Sequence, residues 1–577
     1  MKRTLYYLKK NKLEFILGPL FKMLEASFEL FVPIVVSHIV DKGIKHGDFR
    51  YVVHMTIVMV VLAVIGFISA VLGQYFAAKQ SASLATQMRR DLYKHIQTLS
   101  MADRTRFGDA TLLTRLTSDI NQVETAVNFL IRQLLRSPVV PIGAMIMAFT
   151  IDAKAATIFV ITIPVISLIV FLIMRLTGPK YKETQSRLDE DTLILRENLT
   201  GIRVIRAFNR GDSEKDKFII ANTALNKAQK VAGRISGLMN PLTYAAINVA
   251  IIALLWVGGN RVDSGAISQG NVIALYNYMS QVLIELVKVA NLIVMISKAI
   301  ASSKRIEEVF ETRPSIVDGG EKEQTDLKSV PTEDAVTFKN VSYRYVYASG
   351  DALENIDFSA KKGETIGIIG GTGSGKSTLV NLIPRLIDAS EGHVLINGRD
   401  AKDYKVDSLR SRIGTVLQKA VLFKGSIRDN IRFGKADASD EEIWKALEIA
   451  QAAEFVKEKP GQLDYMVSRG GGNLSGGQKQ RLSVARGLVR KPEILILDDS
   501  ASALDFATDA RLRGAIAAME DGPTLFIVSQ RVASIMHADK ILVMDNGRII
   551  AEGSHDDLRK TCDLYDEICH VQFKDAQ

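Results

Sequence analysis

The chain has 577 residues, of which 47% are hydrophobic and 24% are charged, and its formal net charge is +9. A positive mean hydropathy of +0.11 beside an ordinary share of charged residues predicts apolar stretches in one region and a soluble domain in another. This composition excludes an intrinsically disordered chain, a collagen and a disulfide-stapled secreted scaffold.

Six apolar windows of membrane-spanning length lie before residue 300. We expect the spans near the following positions: Phe15 to Ile39, Val52 to Ala77, Val127 to Ile151, Ala155 to Leu176, Leu242 to Val257 and Val272 to Ile296. Lys2 and Arg3 place the N-terminus in the cytoplasm, because basic residues are enriched on that side of a membrane. Six crossings return the chain there, so we expect a multi-pass protein of the cytoplasmic membrane with both termini cytoplasmic. Basic residues beside spans also explain the net charge without a nucleic-acid partner.

Long charged connections separate the second span from the third and the fourth from the fifth, whereas short turns join the other spans. Both connections are rich in helix-forming residues, and structureless loops of such length are uncommon. We therefore expect a membrane all-α domain of six transmembrane helices with long cytoplasmic helical extensions.

Three charged residues lie inside the first span at helical spacing: Lys22, Glu25 and Glu29. Charges at that depth are costly and usually face a bundle interior or a water-filled cavity. One interpretation is the wall of a cavity that meets cationic or amphipathic substrates. The other is mutual ion pairing that supports the fold. Polar residues of the last spans, among them Glu285 and Lys288, leave the same choice open.

A glycine-rich loop follows a β-like run at Thr365 to Ile369 and precedes an apolar helix. It fits the P-loop pattern G-x-x-x-x-G-K-[ST] and consists of Gly370, Gly371, Thr372, Gly373, Ser374, Gly375, Lys376, Ser377 and Thr378. Glycines let backbone N–H groups close around phosphate oxygens. We expect Lys376 to reach the β- and γ-phosphates of ATP and the Ser377 hydroxyl to bind Mg²⁺.

A second apolar strand, Ile494 to Leu497, ends in Asp498 and Asp499. An acidic residue at the end of a buried strand is where a nucleotide-bound metal is held, so Asp498 is the Walker B candidate. Between the two motifs lies Leu-Ser-Gly-Gly-Gln, at Leu474 to Gln478. In that position this sequence is the signature of ATP-binding cassette (ABC) proteins, and the chain resembles that family.

The resemblance implies roles for further residues. Tyr345 resembles the aromatic residue that stacks on adenine, and Gln418 resembles the Q-loop glutamine that touches the metal and the transmembrane domain. The segment from Ser502 to Asp505 looks like the D-loop. In a head-to-tail dimer of cassettes, the signature residues would complete the partner's ATP site: Ser475, Gly476, Gly477 and Gln478.

Six spans followed by one cassette resemble a half-transporter of the ABC exporter type, and the resemblance covers nearly the whole chain. It implies a transmembrane domain over residues 1–311, a linker over 312–334 and an α/β P-loop nucleotide-binding domain over 335–577. The segments near 109–119 and 200–208 resemble the two coupling helices, which carry movement of the cassette to the spans.

Two positions depart from the family's pattern. The residue after the Walker B aspartate is normally a glutamate that polarises the attacking water, but this chain has Asp499. Its carboxylate is withdrawn by one methylene, about 1.5 Å, and a misplacement of about 1 Å can lower a rate about a hundredfold. The switch histidine that contacts the γ-phosphate is replaced by Gln530, which donates a hydrogen bond but never carries the imidazolium charge. We expect this site to bind ATP and to hydrolyse it slowly.

An intact signature beside an impaired base implies a different partner chain that brings its own glutamate and histidine. Ser468 also stands where exporters often have a glutamate thought to sense the coupling helices. The resemblance to bacterial heterodimeric multidrug exporters implies ATP-driven export of small amphipathic or hydrophobic compounds, above all drugs, across the lipid bilayer. Two alternatives stay open: an exporter of lipids or peptides, and a nucleotide-gated channel or sensor.

Overall fold

The structure is a computed structural model, and it describes residues 2–10, 12–318, 332–346, 348–500, 503–520 and 522–574. The chain folds as two compact units. The first comprises Met1–Gln97 and Asp109–Thr312, and the second comprises Thr98–Gly108 and Arg313–Gln577. Most of the linker that the sequence predicts lies outside the described residues, and so does Ser502 of the expected D-loop.

Long helices form the described part of the first unit. In chain order, the helices up to residue 311 are α1 Lys2–Lys10, α2 Lys12–His38, a π-helical turn Ile39–Ile44, α3 Phe49–Thr98, α4 Met101–Phe107, α5 Asp109–Thr114, a π-helical turn Arg115–Asp119, α6 Ile120–Gln133, α7 Arg136–Ile151, α8 Ala153–Thr200, α9 Ile202–Ala207, α10 Gly211–Gly237, α11 Met239–Asp263 and α12 Gln269–Glu311. The short helix α4 groups with the second unit.

Six helical runs among the described residues are long and apolar enough to cross a membrane. They are Lys12–Ile44, Phe49–Thr98, Asp109–Ile151, Ala153–Thr200, Gly211–Asp263 and Gln269–Glu311. Their number confirms the six expected spans. Their lengths of 33 to 53 residues also confirm that the helices continue beyond a bilayer, which about 20 residues cross.

Polar side chains fix where two of these helices begin. Asp152 is the N-cap of α8 and accepts the backbone N–H of Ala155 at 2.8 Å. The same carboxylate forms an ion pair with Arg261 near the end of α11. Helix α12 begins after Ser268, whose hydroxyl accepts the N–H of Asn271 at 3.2 Å. The starts of both spans are therefore set by hydrogen bonds, not by hydropathy alone.

Helix α12 packs against α2, α6, α7 and α11, and so forms the centre of the first unit. Tyr278 on α12 is fully buried, and its hydroxyl donates to the carbonyl oxygen of Leu30 at 2.6 Å. Phe159 and Leu254 belong to the same core. Because the Tyr278 hydroxyl has a hydrogen-bond partner, burial of the ring stabilises the unit without leaving an unpaired polar group. The hydrogen bond also joins α12 to α2.

The second unit is built from sheets and short helices. Its strands are β1 Asp334–Tyr343, β2 Leu353–Lys361, β3 Thr365–Gly370, β4 Glu391–Ile396, β5 Arg399–Asp400, β6 Ile413–Val416, β7 Gly425–Ser426, β8 Met466–Val467, β9 Ile494–Asp498, β10 Thr524–Val528, β11 Lys540–Asp545 and β12 Arg548–Gly553. Its α-helices beyond α4 are α13 Lys376–Leu382, α14 Val406–Ser411, α15 Ile427–Arg432, α16 Asp440–Ile449, α17 Ala453–Lys457, α18 Gly476–Leu488, α19 Phe506–Ala517, α20 Val532–Ile535, α21 His555–Thr561 and α22 Asp563–Lys574.

A six-stranded sheet of order β12-β11-β3-β10-β9-β6 is the framework of this unit. Its central strands β3, β10, β9 and β6 are parallel. In this register Val528 lies opposite Asp498 on one side and Ile368 on the other, so the carboxyl ends of three strands meet at one edge. Burial on both faces explains the unbroken apolar sequence of β9. A four-stranded antiparallel sheet, β2-β1-β4-β5, and the β7-β8 pair complete the α/β unit.

A substitution of Phe526 on β10 tests how strongly the six-stranded sheet depends on its buried side chains. The ring is 0% exposed and makes an edge-to-face contact with Phe358, with centroids 6.4 Å apart. We expect Phe526→Ala to lower the free energy of unfolding by about 3–5 kcal/mol, because apolar burial is lost and a cavity is left. Thermal unfolding of the full-length protein in detergent measures this effect. Ile550→Ala, at an exposed position, is the control, and an equal loss in both variants would contradict the expectation.

Candidate functional site

The loop between β3 and α13 carries the P-loop sequence and depends on its glycines. Gly370 (φ +155°) and Gly375 (φ +98°) adopt backbone conformations that other residues rarely take. A Cβ on Gly370 would lie 2.1 Å from the carbonyl oxygen of Met544. One on Gly375 would lie 2.8 Å from the carbonyl oxygen of Ala352. Neighbouring backbone therefore packs too closely against the loop for side chains at these two positions.

The ammonium group of Lys376 lies inside the loop. Its Nζ donates to the carbonyl oxygens of Gly370 at 2.9 Å and Gly371 at 2.6 Å, and to Oγ of Ser374 at 3.2 Å. Burial lowers the pKa of Lys376, and the carboxylates of Asp499 and Asp498 oppose that shift. A buried cation held by neutral oxygens attracts an anion, and a phosphate group fits this requirement.

Ser377 and Asp498 meet on the other side of the loop. The Ser377 hydroxyl donates to Oδ1 of Asp498 at 3.0 Å. Asp498 is only 6% exposed; burial raises its pKa, and the charge of Asp499 adds to that rise. Hydroxyl and carboxylate oxygens are the hard ligands that Mg²⁺ prefers, so this pair fits a nucleotide-bound magnesium ion.

Asp499 has an unusual backbone and a specific side-chain contact. Its φ is +46°, and its N–H donates to the carbonyl oxygen of Val528 at 2.9 Å. Nε2 of Gln418 donates to Oδ2 of Asp499 at 3.1 Å. Non-glycine residues in the left-handed region carry strain and cluster at functional sites. The structure thus joins Gln418 directly to Asp499, a contact that the motifs alone do not predict.

These side chains surround a cavity of about 370 Å³, a volume in the range of small-molecule sites. The cavity is lined by residues that the sequence singled out: Tyr345, Thr372, Gly373, Gly375, Lys376, Ser377, Thr378, Gln418, Asp498, Asp499 and Gln530. Ala352, Val528 and Ser529 also line it, although no motif marks them. The fold therefore brings together residues from widely separated parts of the sequence.

Tyr345 borders the cavity as a partly exposed ring. Its hydroxyl forms a hydrogen bond with Oγ1 of Thr378 at 3.0 Å. The ring stands edge to face with Tyr343, with centroids 4.9 Å apart, and the residue is 44% exposed. An exposed aromatic face beside a phosphate loop is suited to stack on a purine.

The signature residues are not among the described residues that line this cavity. Ser475 is the N-cap of α18: its Oγ accepts the N–H of Gln478 at 3.3 Å, and its own N–H donates to Oε1 of Gln478 at 3.0 Å. A capping box of this kind starts a helix at a defined residue. Gly476 and Gly477 form the first turn, and a Cβ on Gly477 would lie 3.1 Å from the carbonyl oxygen of Ala503. The motif therefore forms the start of a helix and lies outside the cavity described above.

Local hydrogen bonds hold two further predicted positions. Asp505 is the N-cap of α19 and accepts the N–H of Thr508 at 2.8 Å, which lowers the pKa of its carboxyl group. Ser468 pairs reciprocally with Asn473: its N–H donates to Oδ1 at 3.0 Å, and its Oγ accepts the Asn473 N–H at 3.1 Å. Ser468 therefore stabilises the loop before the signature sequence.

The charged residues of the first span belong to a network centred on Arg136. We call it the Arg136 network, and its six members are Lys22, Glu25, Glu29, Arg136, Glu285 and Lys288. The guanidinium contacts three carboxylates, two at 2.6 Å and one at 3.2 Å. Each lysine pairs with a glutamate of its own helix, at 2.6 and 2.7 Å. The structure thus shows ion pairing, and the Glu29 side chain stays 41% exposed.

Comparisons with known proteins agree with this geometry. A family profile described as "ABC transporter transmembrane region" matches residues 15–286, and one described as "ABC transporter" matches residues 353–502. The chain is 36% identical over 573 residues to the uncharacterized ABC transporter ATP-binding protein YfiB of Bacillus subtilis (strain 168), covering 99% of each protein. It is 31% identical over 543 residues to the ATP-dependent lipid A-core flippase of Desulfotalea psychrophila (strain LSv54 / DSM 12343), covering 93% of each.

A solved structure has the same fold. It is that of a bacterial Atm1-family ABC exporter with ATP bound, with a TM-score of 0.79 and 22% sequence identity. The match covers 97% of this chain and 98% of that chain. The likeness confirms the predicted fold class, a helical transmembrane domain followed by an α/β ATPase domain.

The glycines of the loop offer a matched pair of variants. Gly370→Ala would place a Cβ against the carbonyl oxygen of Met544, whereas the Cβ of Gly371→Ala would meet nothing within 4 Å. We expect Gly370→Ala to lower the unfolding temperature of the nucleotide-free, full-length protein by several degrees and Gly371→Ala to leave it unchanged. Differential scanning fluorimetry measures both. Equal stability of the two variants would contradict the described loop conformation.

Proposed function

This chain belongs to the ABC transporter family as an exporter-type half-transporter, and from that premise we propose that it forms one half of a heterodimeric exporter whose own ATP site hydrolyses slowly. The reaction is ATP-driven export of amphipathic or hydrophobic compounds across the cytoplasmic membrane, with both termini in the cytoplasm. The observation that carries the proposal is that a complete P-loop shares its cavity with Asp499 and Gln530.

ATP with Mg²⁺ is the proposed occupant of the cavity. Lys376 would bind the β- and γ-phosphates, and Ser377, Asp498 and Gln418 would hold Mg²⁺. Magnesium, when bound, neutralises charge that develops on the phosphates. Tyr345 supplies the surface for adenine. The support is the convergence of a buried ammonium, a hydroxyl–carboxylate pair and an exposed ring around one cavity.

Slow hydrolysis follows from two side chains. The carboxylate of Asp499 is one methylene shorter than that of a glutamate, and it accepts a hydrogen bond from Gln418 at 3.1 Å. Its reach is therefore reduced toward a water that a general base must approach to within about 3 Å. Gln530 lines the cavity as a neutral amide, so the charge that a histidine brings to the γ-phosphate is missing. ATP in this site serves mainly to keep two cassettes closed.

The partner is a homologous half-transporter subunit with an intact glutamate and histidine. Ser475 starts α18 through its capping box, and the signature lies outside the chain's own cavity. The backbone N–H groups at the start of a helix of this length suit a phosphate. The signature of this chain therefore completes the partner's site, where rapid hydrolysis takes place and resets the transporter.

The Arg136 network is the proposed point of contact with substrate. Its charges balance, but Glu29 is partly exposed, and Oγ of Ser137 and Oε1 of Gln281 are buried without a hydrogen-bond partner among the described residues. A partly exposed carboxylate favours cationic amphipathic compounds, such as many drugs. The flippase relative supports a second candidate, a lipid substrate.

Restoring the family's residues tests the slow site. We expect Asp499→Glu combined with Gln530→His to raise the rate of hydrolysis at this site about tenfold to a hundredfold. The longer carboxylate reaches the attacking water, and the histidine places a group that can carry a positive charge beside the γ-phosphate. The measurement is single-turnover hydrolysis by the co-purified pair, with the partner's own catalytic glutamate changed to glutamine so that only this site can react.

Two single changes serve as controls in the same pair. Asp499→Asn should change total turnover modestly, whereas the partner's glutamate-to-glutamine change should abolish it. Equal loss from both changes, or no gain from the restored site, would contradict the asymmetric assignment.

Glu29 tests the substrate class. We expect Glu29→Gln to weaken the apparent affinity for cationic amphipathic drugs about fivefold and to leave uncharged ones unaffected, because one attractive carboxylate is lost. Transport into inverted vesicles measures this, and Glu183→Gln, at an exposed ion pair, is the matched control. Stimulation by lipid A alone would support the lipid candidate, and equal effects on charged and uncharged drugs would contradict the role of Glu29.

A further inference from the structure

The C-terminal helix α22 reaches the segment that carries Gln530. Oε1 of Gln572 accepts the backbone N–H of Val532 at 2.8 Å. Nε2 of the same side chain donates to the carbonyl oxygen of Gln530 at 2.7 Å. One amide group therefore bridges two backbone positions on either side of Arg531, and each of its atoms makes the bond that its chemistry allows.

This bridge supplies a hydrogen-bond acceptor that the residues at the start of α20 lack. Helix α20 begins at Val532, and its N-cap residue Arg531 makes no side-chain capping bond. Arginine cannot accept a hydrogen bond, so it cannot satisfy the first N–H groups of the helix. Gln572 on α22, which lies 40 residues further along the chain than Val532, provides the missing acceptor.

Further contacts join the same segment to α19 and to the residue Leu504 before it. The Arg531 guanidinium donates to the carbonyl oxygen of Leu504 at 3.3 Å and lies over the ring of Phe506, 5.1 Å from its centre. The Ser534 hydroxyl donates to Oδ2 of Asp509 at 3.0 Å. The switch segment, residues 529–535, thus makes hydrogen bonds to both α19 and α22. Gln530 lines the cavity, and these contacts restrain the backbone that carries it.

We propose that Gln572 is a positioning residue for the ATP site: it holds the backbone of Gln530 so that the Gln530 amide faces the γ-phosphate. This inference rests on the proposed function, in which Gln530 occupies the switch position. ADP lacks the γ-phosphate, so loss of the bridge weakens binding of a nucleoside triphosphate and spares binding of the diphosphate.

Substitutions at Gln572 separate the hydrogen bonds from packing. Gln572→Met keeps the length of the side chain and removes both bonds. Gln572→Glu keeps the acceptor for Val532 but sets a carboxylate oxygen against the carbonyl oxygen of Gln530. Val571→Ala, at an exposed neighbour on α22, is the matched control.

The test measures binding of ADP and of the non-hydrolysable analogue AMPPNP, each with Mg²⁺, to the purified full-length chain in nanodiscs. We expect Gln572→Met and Gln572→Glu to weaken AMPPNP binding about five- to tenfold, the effect of losing one or two hydrogen bonds. ADP binding and the unfolding temperature stay as in the unchanged protein. Gln530→Ala produces the same selective loss, and the double variant Gln530→Ala/Gln572→Met adds nothing further.

Three results would overturn the proposal, and they differ in meaning. If Gln530→Ala weakens AMPPNP binding but Gln572→Met does not, only the positioning role fails. If Gln572→Met weakens AMPPNP and ADP alike or lowers the unfolding temperature, the residue is merely structural. If Gln530→Ala itself leaves AMPPNP binding unchanged, the switch role in the proposed function fails, and the inference falls with it.

Discussion

The parallel register of β3, β10 and β9 is the constraint on which the candidate site depends. It aligns Val528 with Asp498 and with Ile368, so the P-loop, the two aspartates and the switch segment leave the sheet at one edge. Each element then needs only short-range contacts to complete the site, such as the Ser377–Asp498 hydrogen bond. A shift of register in any of these strands would separate groups that must share one nucleotide, because side chains alternate between the faces of a sheet.

The local motifs made much of this predictable from sequence. The P-loop and the strand before Asp498 each have a pattern that indicates their conformation, and the structure places both on one cavity. Contacts between distant segments carry no such pattern. No sequence pattern near Gln572 predicts its contact with Gln530, and none near Met544 predicts its contact with Gly370. Both contacts depend on how helices and strands pack.

The same limit applies within the membrane-spanning helices. Helical spacing placed Lys22, Glu25 and Glu29 on one face but left open whether they pair or meet a ligand. Arg136 lies more than a hundred residues away, and only the packing of α2 against α7 brings it among the carboxylates. Removing a buried member of this network, such as Arg136 or Glu285, leaves an uncompensated charge in a poorly solvated place, which is strongly destabilising. The network therefore ties α2, α7 and α12 together, whatever substrate its exposed carboxylate meets.

The unequal catalytic competence of the two ATP sites is tested most directly by steady-state hydrolysis, measured on this chain purified without a partner and reconstituted in nanodiscs. We predict that it retains ATP with negligible turnover and that adding the partner subunit restores rapid hydrolysis. Brisk ATP turnover and drug transport by the chain alone would contradict the claim.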